Sequence, residues 1–377
     1  MSIFLFLKQF VDLLYNFRWM DIAMVLLAMA MLVYQYLLLR PNIREAIKVA
    51  DIVVLLLVAL LTFSFLRDIS AYLAYIKVMS AFLMYFMGRL YYDRIIECGD
   101  ALAISSYLII YINFVHRVIV YGMGMLQVTN ADGDLYFYDT DMAYAMILAF
   151  IFVAMFARNS VFKIITLLLV CPYMIIYSDA GIQTLLFFFI VVVLMMYILE
   201  VALHKKTFAM IGMGILIAGL LLSVVLIYIP LITTDTSGTW KLFGNNTVLN
   251  VTHMETRYDE WQQVYAIRSP QTIVEQIFGI SFNSHLPLKS FYLKALYTTG
   301  VVGLVLGIEL IILAFIAANK SEERKSFYIT IMLAILMLGS GVTVNTMEST
   351  QMSWYMMLFA GMVITENKGN TIKDITR

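Results

Sequence analysis

The sequence predicts an all-α, polytopic membrane helical bundle of about 11–12 transmembrane helices, a single transmembrane domain over residues 1–377 with one long extracytoplasmic loop at 233–289. Three observations predict it. Of 377 residues, 62% are hydrophobic and 13% charged, whereas a soluble domain carries about 45–50% apolar and about 25% charged residues. The apolar residues fall into runs of about 17–25, long enough to cross a bilayer as helices and too long for barrel strands. Lys and Arg are unevenly shared between alternate connections, as the sidedness of a multi-pass protein requires.

The runs lie near 20–39, 49–66, 70–91, 101–121, 141–157, 161–177, 181–203, 208–232, 290–318, 326–344 and 348–365. Ahead of them, "MSIFLFLKQFVDLLYNF" lacks a basic leader and a small-residue cleavage site, so it does not read as a signal peptide. Its apolar stretch is interrupted by Lys8 and Asp12 and reads as an interfacial or half-inserted helix. A twelfth crossing results if it spans.

Connections on one side hold 15 of the 25 Lys and Arg; the other side holds 7, and Lys77, Arg117 and Lys294 fall within runs. Basic short loops stay in the cytoplasm. The C-terminus is therefore expected to be cytoplasmic, with 122–140 and 233–289 outside. Formal net charge is zero, which gives no sign of a nucleic-acid partner. The two cysteines, Cys98 and Cys171, match no metal or disulfide spacing. No P-loop or dinucleotide glycine fingerprint occurs, and no repeat of fixed period stands out.

Polar chemistry gathers in the long loop and its exit. Within 254–278, which reads as helical and broken at Pro270, Arg257, Trp261, Val264 and Arg268 recur at i, i+4, i+7 and i+11. That spacing places two guanidinium groups and an indole on one stripe. The stripe suits a helix lying on the membrane with arginines toward lipid phosphate. It equally suits two arginines facing an anionic substrate. Next comes "SFNSHLPLKSFYLKALYTTGVVG", with His285, Lys289, Tyr292, Lys294 and Tyr297. Lys294 falls inside an apolar run, where charge is either paired or functional. Gly300, Gly303 and Gly307 follow at helical spacing and read as a face for close helix packing. A second outer loop carries Asp132, Asp134, Asp139 and Asp141, which read as a solvated acidic loop, with a divalent-cation site as the alternative. Arg117, beside His116 near the outer end of its run, reads as a snorkelling anchor or an anion ligand.

These motifs resemble the O-antigen ligase/polymerase superfamily over about 60 residues. Arg257 and Trp261 are similar to its Arg-x-x-x-Trp, "IFGI" (277–280) to its apolar-Gly turn, and the His285 segment to the stretch leading into its closing glycine motif. The chain departs from the pattern in three places: Asn283 precedes the histidine, Thr298 replaces an acidic residue, and Asp179 stands at an arginine position. The resemblance implies a GT-C-like, Wzy-type polysaccharide polymerase in a bacterial plasma membrane. Such an enzyme transfers glycan from an undecaprenyl-diphosphate carrier to an acceptor sugar hydroxyl at the outer face, for O-antigen, capsule or exopolysaccharide. It implies no cofactor and no metal. It also implies the lipid bilayer as partner, with a flippase and a chain-length regulator of the same pathway. Under it, His285 takes the acceptor proton and Arg257 stabilises the leaving diphosphate. Arg268, Lys289, Lys294 and Arg117 hold phosphate, while Trp261, Tyr292 and Tyr297 offer faces for sugar or prenyl groups. Ligase-type transfer to another surface acceptor, or a lipid-linked oligosaccharide flippase, are the competing expectations.

Overall fold

A computed structural model of the chain describes residues 1–13, 18–39, 47–115, 140–176, 181–204, 272–282, 288–321 and 323–366, with isolated positions at 118 and between 211 and 219. Among them every regular element is a helix. They are α1 (Ser2–Leu13), α2 (Arg18–Leu39), α3 (Val49–Arg67), α4 (Tyr72–Leu90), α5 (Tyr92–Ile95), α6 (Gly99–Val115), α7 (Thr140–Phe156), α8 (Val161–Ile165), α9 (Cys171–Ile176), α10 (Gly181–Leu203), α11 (Ile273–Phe278), α12 (Phe291–Lys320), α13 (Arg324–Ser340) and α14 (Thr350–Glu366). Each predicted run holds helix except 208–232, nearly all of which lies outside the described residues, as do 122–139 and 233–271, while α1, α5 and α11 lie outside the runs. Five are long and apolar enough to cross a membrane: Trp19–Leu38, Val49–Arg67, Ile69–Leu90, Ile182–Leu203 and Phe291–Lys320. The chain is a helical membrane protein.

Three helices that are apolar all round form the centre: α7, α13 and α14 are buried on nearly every described face. A helix without a polar side has no reason to face water. Around them, α2, α3 and α10 leave Leu26, Leu37, Leu55, Phe63, Phe188 and Met195 exposed, an apolar exterior suited to lipid. Helix α14 packs along α4, α7 along α6, α10 along α13, and α12 along α3.

Close approach of α4 and α14 rests on two glycines. A Cβ on Gly88 would meet the Leu358 carbonyl, and one on Gly361 would meet the Tyr85 carbonyl. Small residues let two backbones come together where no hydrophobic effect separates helix from lipid. The glycines expected to do this, Gly300, Gly303 and Gly307, do something else. Gly300 leaves helical geometry altogether (φ 65, ψ −164). A Cβ on Gly303 would meet the side chain of Thr299 in its own helix, and Gly307 faces open space.

Polar groups lock the helix ends. Asp51 accepts from Arg89 through both carboxylate oxygens, at 3.0 and 2.9 Å, and from the Tyr85 hydroxyl at 2.7 Å. Arg89 also donates to Thr365 at 2.8 Å, and the Lys48 ammonium donates to the Ile364 carbonyl. This ties α3, α4 and α14 together. A second knot joins α10 to α13, where Glu200 accepts from Arg324 and from the Tyr328 hydroxyl, each at 2.6 Å. Both knots are charge-assisted and bidentate or networked, the strong class of hydrogen bond.

Helix α1 carries polar groups into the core. Its Lys8 and Gln9 are buried while Ile3 and Leu7 are exposed. Lys8 pairs with Asp12 and lies 4.4 Å from the Trp354 ring centroid. Gln9 accepts from Ser105 and Ser106 at 3.0 Å each. At about 1.5 Å per residue its twelve residues reach about 18 Å, less than a crossing. The short helix thus buries Lys8 and Gln9 on the same inward side as Phe4, Leu5 and Val11, and hands its charges to the bundle.

Candidate functional site

The site forms where α11 meets α12. Helix α11 starts with a reciprocal cap: the Thr272 hydroxyl accepts from Glu275 N–H at 3.4 Å, and the Glu275 carboxylate accepts from Thr272 N–H at 2.9 Å. The Thr272 N–H, and next its hydroxyl at 2.8 Å, donate to the Glu275 carboxylate, which favours the ionised form and holds this carboxyl below its ordinary range. The helix ends at Gly279, whose φ of 80 only glycine adopts without strain.

Helix α12 breaks at Gly300, also at positive φ. At about 1.5 Å per residue, Val301–Lys320 is about 30 Å long and crosses a bilayer by itself. The preceding half, Phe291–Thr299, carries Lys294. The break and the α11 turn interlock. A Cβ on Gly279 would strike the Thr298 carbonyl, and a Cβ on Gly300 would strike the Ile277 carbonyl. Ile280 N–H donates to the Tyr297 carbonyl at 2.8 Å, which an unbroken helix would commit to Val301. Irregular backbone at membrane depth needs such substitutes. Within the half-helix the Thr298 and Thr299 hydroxyls donate one turn back, to Lys294 O at 2.8 Å and to Ala295 O at 2.9 Å.

Arg67, at the end of α3, holds the turn from the other side. Its Nη1 donates to the Gly279 and Ile280 carbonyls, both at 2.7 Å. Phe282 N–H donates to Ser64 O at 3.2 Å, and its ring packs edge-on to Phe65 and Tyr75. Downstream, Phe291 N–H donates to Gly341 O at 2.8 Å, Ser290 Oγ to the same carbonyl at 3.0 Å, and the Tyr292 hydroxyl to Leu338 O at 2.8 Å. The chain is therefore pinned on both sides of residues 283–287.

Lys294 faces Glu348, from the turn between α13 and α14, at 3.9 Å, and its ammonium lies 5.7 Å from the Phe282 ring centroid. Both charges border a cavity of about 70 Å³ whose other walls include Leu57, Leu61, Phe82 and Leu310. That volume holds about two water molecules. It is a socket for a few atoms, with charge at one edge and hydrocarbon at the other.

Four of the expected site residues lie in the described structure. Lys294 and Tyr297 sit on the half-helix before the break, and Lys289 is exposed at its entrance. Tyr292 is buried with its hydroxyl bound to Leu338, so its ring packs into the bundle instead of offering a free face. His285, Arg257, Trp261, Arg268 and Arg117 lie outside the described residues. So do Asp132, Asp134 and Asp139. Among the described residues no three His, Cys, Asp or Glu side chains gather as a metal site would need. Two participants escaped the sequence reading. Arg67 is a basic residue closing an apolar run on the side expected to be poor in them, and Glu348 is the sole acid of the turn "NTMEST".

Compared with protein-family models, curated proteins and solved structures, the chain matches none.

Proposed function

We propose that this protein is a lipid-linked oligosaccharide glycosyltransferase of the O-antigen polymerase kind. It joins glycan from an undecaprenyl-diphosphate carrier to an acceptor sugar hydroxyl at the outer face of a bacterial plasma membrane. One observation supports the reading most. Two short motifs that resemble the superfamily, the "IFGI" turn and the "TTGVVG" stretch, are locked to each other at Gly279 and Gly300, and His285 lies between them in the chain. Parts that look separate in sequence belong to one built feature.

The chemistry would divide as follows. Arg257 and Arg268 bind the diphosphate and stabilise the charge that grows on it as the glycosidic bond breaks. His285, with an ordinary pKa near the working pH, accepts the proton of the attacking hydroxyl. Lys289 and Lys294 add positive charge at the entrance to the broken helix. The apolar socket beneath Lys294 accepts the first carbons of a carrier whose remainder stays in lipid.

A flippase reading draws on one feature, since discontinuous helices also build transporter sites. Purified protein in vesicles separates the two. Growth of polymer on vesicles loaded with a lipid-linked repeat unit supports transfer. Movement of the unit between leaflets without elongation rejects it.

A further inference from the structure

At the opposite end of the bundle lies a larger cavity, about 590 Å³, between the end of α7, the start of α8, the last turns of α10 and the start of α13. Its polar side chains are Lys163, Lys325, Asn159, Ser160 and Tyr197. Its apolar wall includes Ile164, Ile198 and Val201, all exposed on the lipid-facing exterior.

Neither lysine has a carboxylate partner among the described residues. Lys163 donates to the Ala157 carbonyl at 2.9 Å, and Lys325 rests 4.8 Å from the Phe156 ring centroid. Glu200 on α10 is committed to Arg324 and Tyr328. Two ammonium groups thus share one concave space in which, among the described residues, neither is ion-paired, the Glu323 charge being felt at Tyr197 on its wall, while the space continues onto a bilayer-facing wall. An anion attached to a hydrocarbon chain satisfies both halves; basic pockets between membrane helices are the usual seat of acidic head groups.

We propose that this cavity is a binding site for the phosphate head group of an anionic glycerophospholipid, with Lys163 and Lys325 on the phosphate and an acyl chain along Ile164, Ile198 and Val201. The basic connections "ARNSVFK" and "NKSEERK" assign this end to the cytoplasmic leaflet. The site is separate from the α11–α12 feature and does not depend on glycan transfer.

The test uses the full chain in detergent. Thermal unfolding and native mass spectrometry are run with phosphatidylglycerol, with phosphatidylcholine of the same chains, and with inorganic phosphate. Phosphatidylglycerol is expected to raise the melting temperature and to stay bound, and phosphatidylcholine and phosphate are not. K163Q/K325Q is expected to bind phosphatidylglycerol about thirtyfold more weakly, whereas K163R/K325R and the surface control K320Q keep the wild-type response. Equal effects of the two lipids, an equal effect of free phosphate, or undiminished binding by K163Q/K325Q would each overturn the assignment. Should the Gln variant fail to fold, the three-ligand comparison on the wild-type chain decides.

Discussion

Gly279 and Gly300 are mutually locked: each stands at positive φ, 80 and 65, and each presses its bare Cα against the backbone of the other's segment. Nothing larger than hydrogen fits at either position. Gly300→Ala and Gly279→Ala therefore combine left-handed strain with a collision against peptide carbonyls. Each is expected to cost at least about 1–3 kcal/mol, read as a fall in melting temperature of the detergent-purified chain. Gly307→Ala, which meets open space, serves as the control and should change little. Equal melting temperatures for all three would show that the interlock is not structural.

Arg67 supplies two hydrogen bonds from one nitrogen to the carbonyls of Gly279 and Ile280. Arg67→Ala leaves both acceptors without this donor, a loss of about 1–3 kcal/mol. Its effect should be local, so limited proteolysis ought to cut within 272–290 faster while α4 and α14 stay protected. A uniform rise in cleavage along the chain would argue against a local clasp.

The Lys294–Glu348 pair separates two roles. If Lys294 serves only its partner, Lys294→Met and Glu348→Gln harm alike, and the charge swap K294E/E348K restores function. The proposed phosphate role predicts a different pattern. Lys294→Met should abolish long-chain polymer, Glu348→Gln should retain much of it, and the swap should fail. Chain length on gels of extracted polysaccharide gives the answer.

Arg257 and His285 are expected to face the exterior and to act. Arg257→Ala should leave single lipid-linked units with no long polymer, and His285→Ala should lower turnover more than donor affinity. Cysteines placed at 257 and 285 should react with an impermeant thiol reagent added outside whole cells. Labelling solely from the cytosol would reverse the orientation and end the proposed chemistry.

Lys48 makes stability depend on pH. Burial, and next the Arg89 charge, bring its ammonium down to about 8 from 10.5, with Asp51 opposing. The folded chain releases this proton near pH 8, whereas the unfolded chain keeps it to about 10.5, so between those values the unfolded state binds more protons. Stability from this group therefore rises with pH across that window. Lys48→Met should remove that part of the slope in melting temperature measured at pH 7.5, 9 and 10. An identical slope in both proteins would place the titration elsewhere.

The helical class and the five described helices long and apolar enough to cross were readable from the chain alone, because hydrocarbon imposes a local demand. A segment must be apolar for about twenty residues and must satisfy its own backbone. α3, α10 and α12 carry that signal within themselves. Which glycines bring helices together was not readable. In a bundle surrounded by lipid both faces of a helix are apolar, so periodicity does not separate inside from outside. Gly88 and Gly361 look no different from Gly303 and Gly307. The inward turn of Lys8 and Gln9 is hidden for the same reason.

Contacts between distant segments belong to the tertiary structure entirely. Arg67 and Gly279 are 212 positions apart, and only folding shows that one guanidinium closes the turn ahead of a broken helix. Lys294 was marked in the sequence as a charge needing an explanation. Its partner, Glu348, and the socket between them came from the packing of α3, α12 and the turn before α14. Hydrophobic length is written along one dimension, whereas charge pairing is decided by which ends of different helices meet.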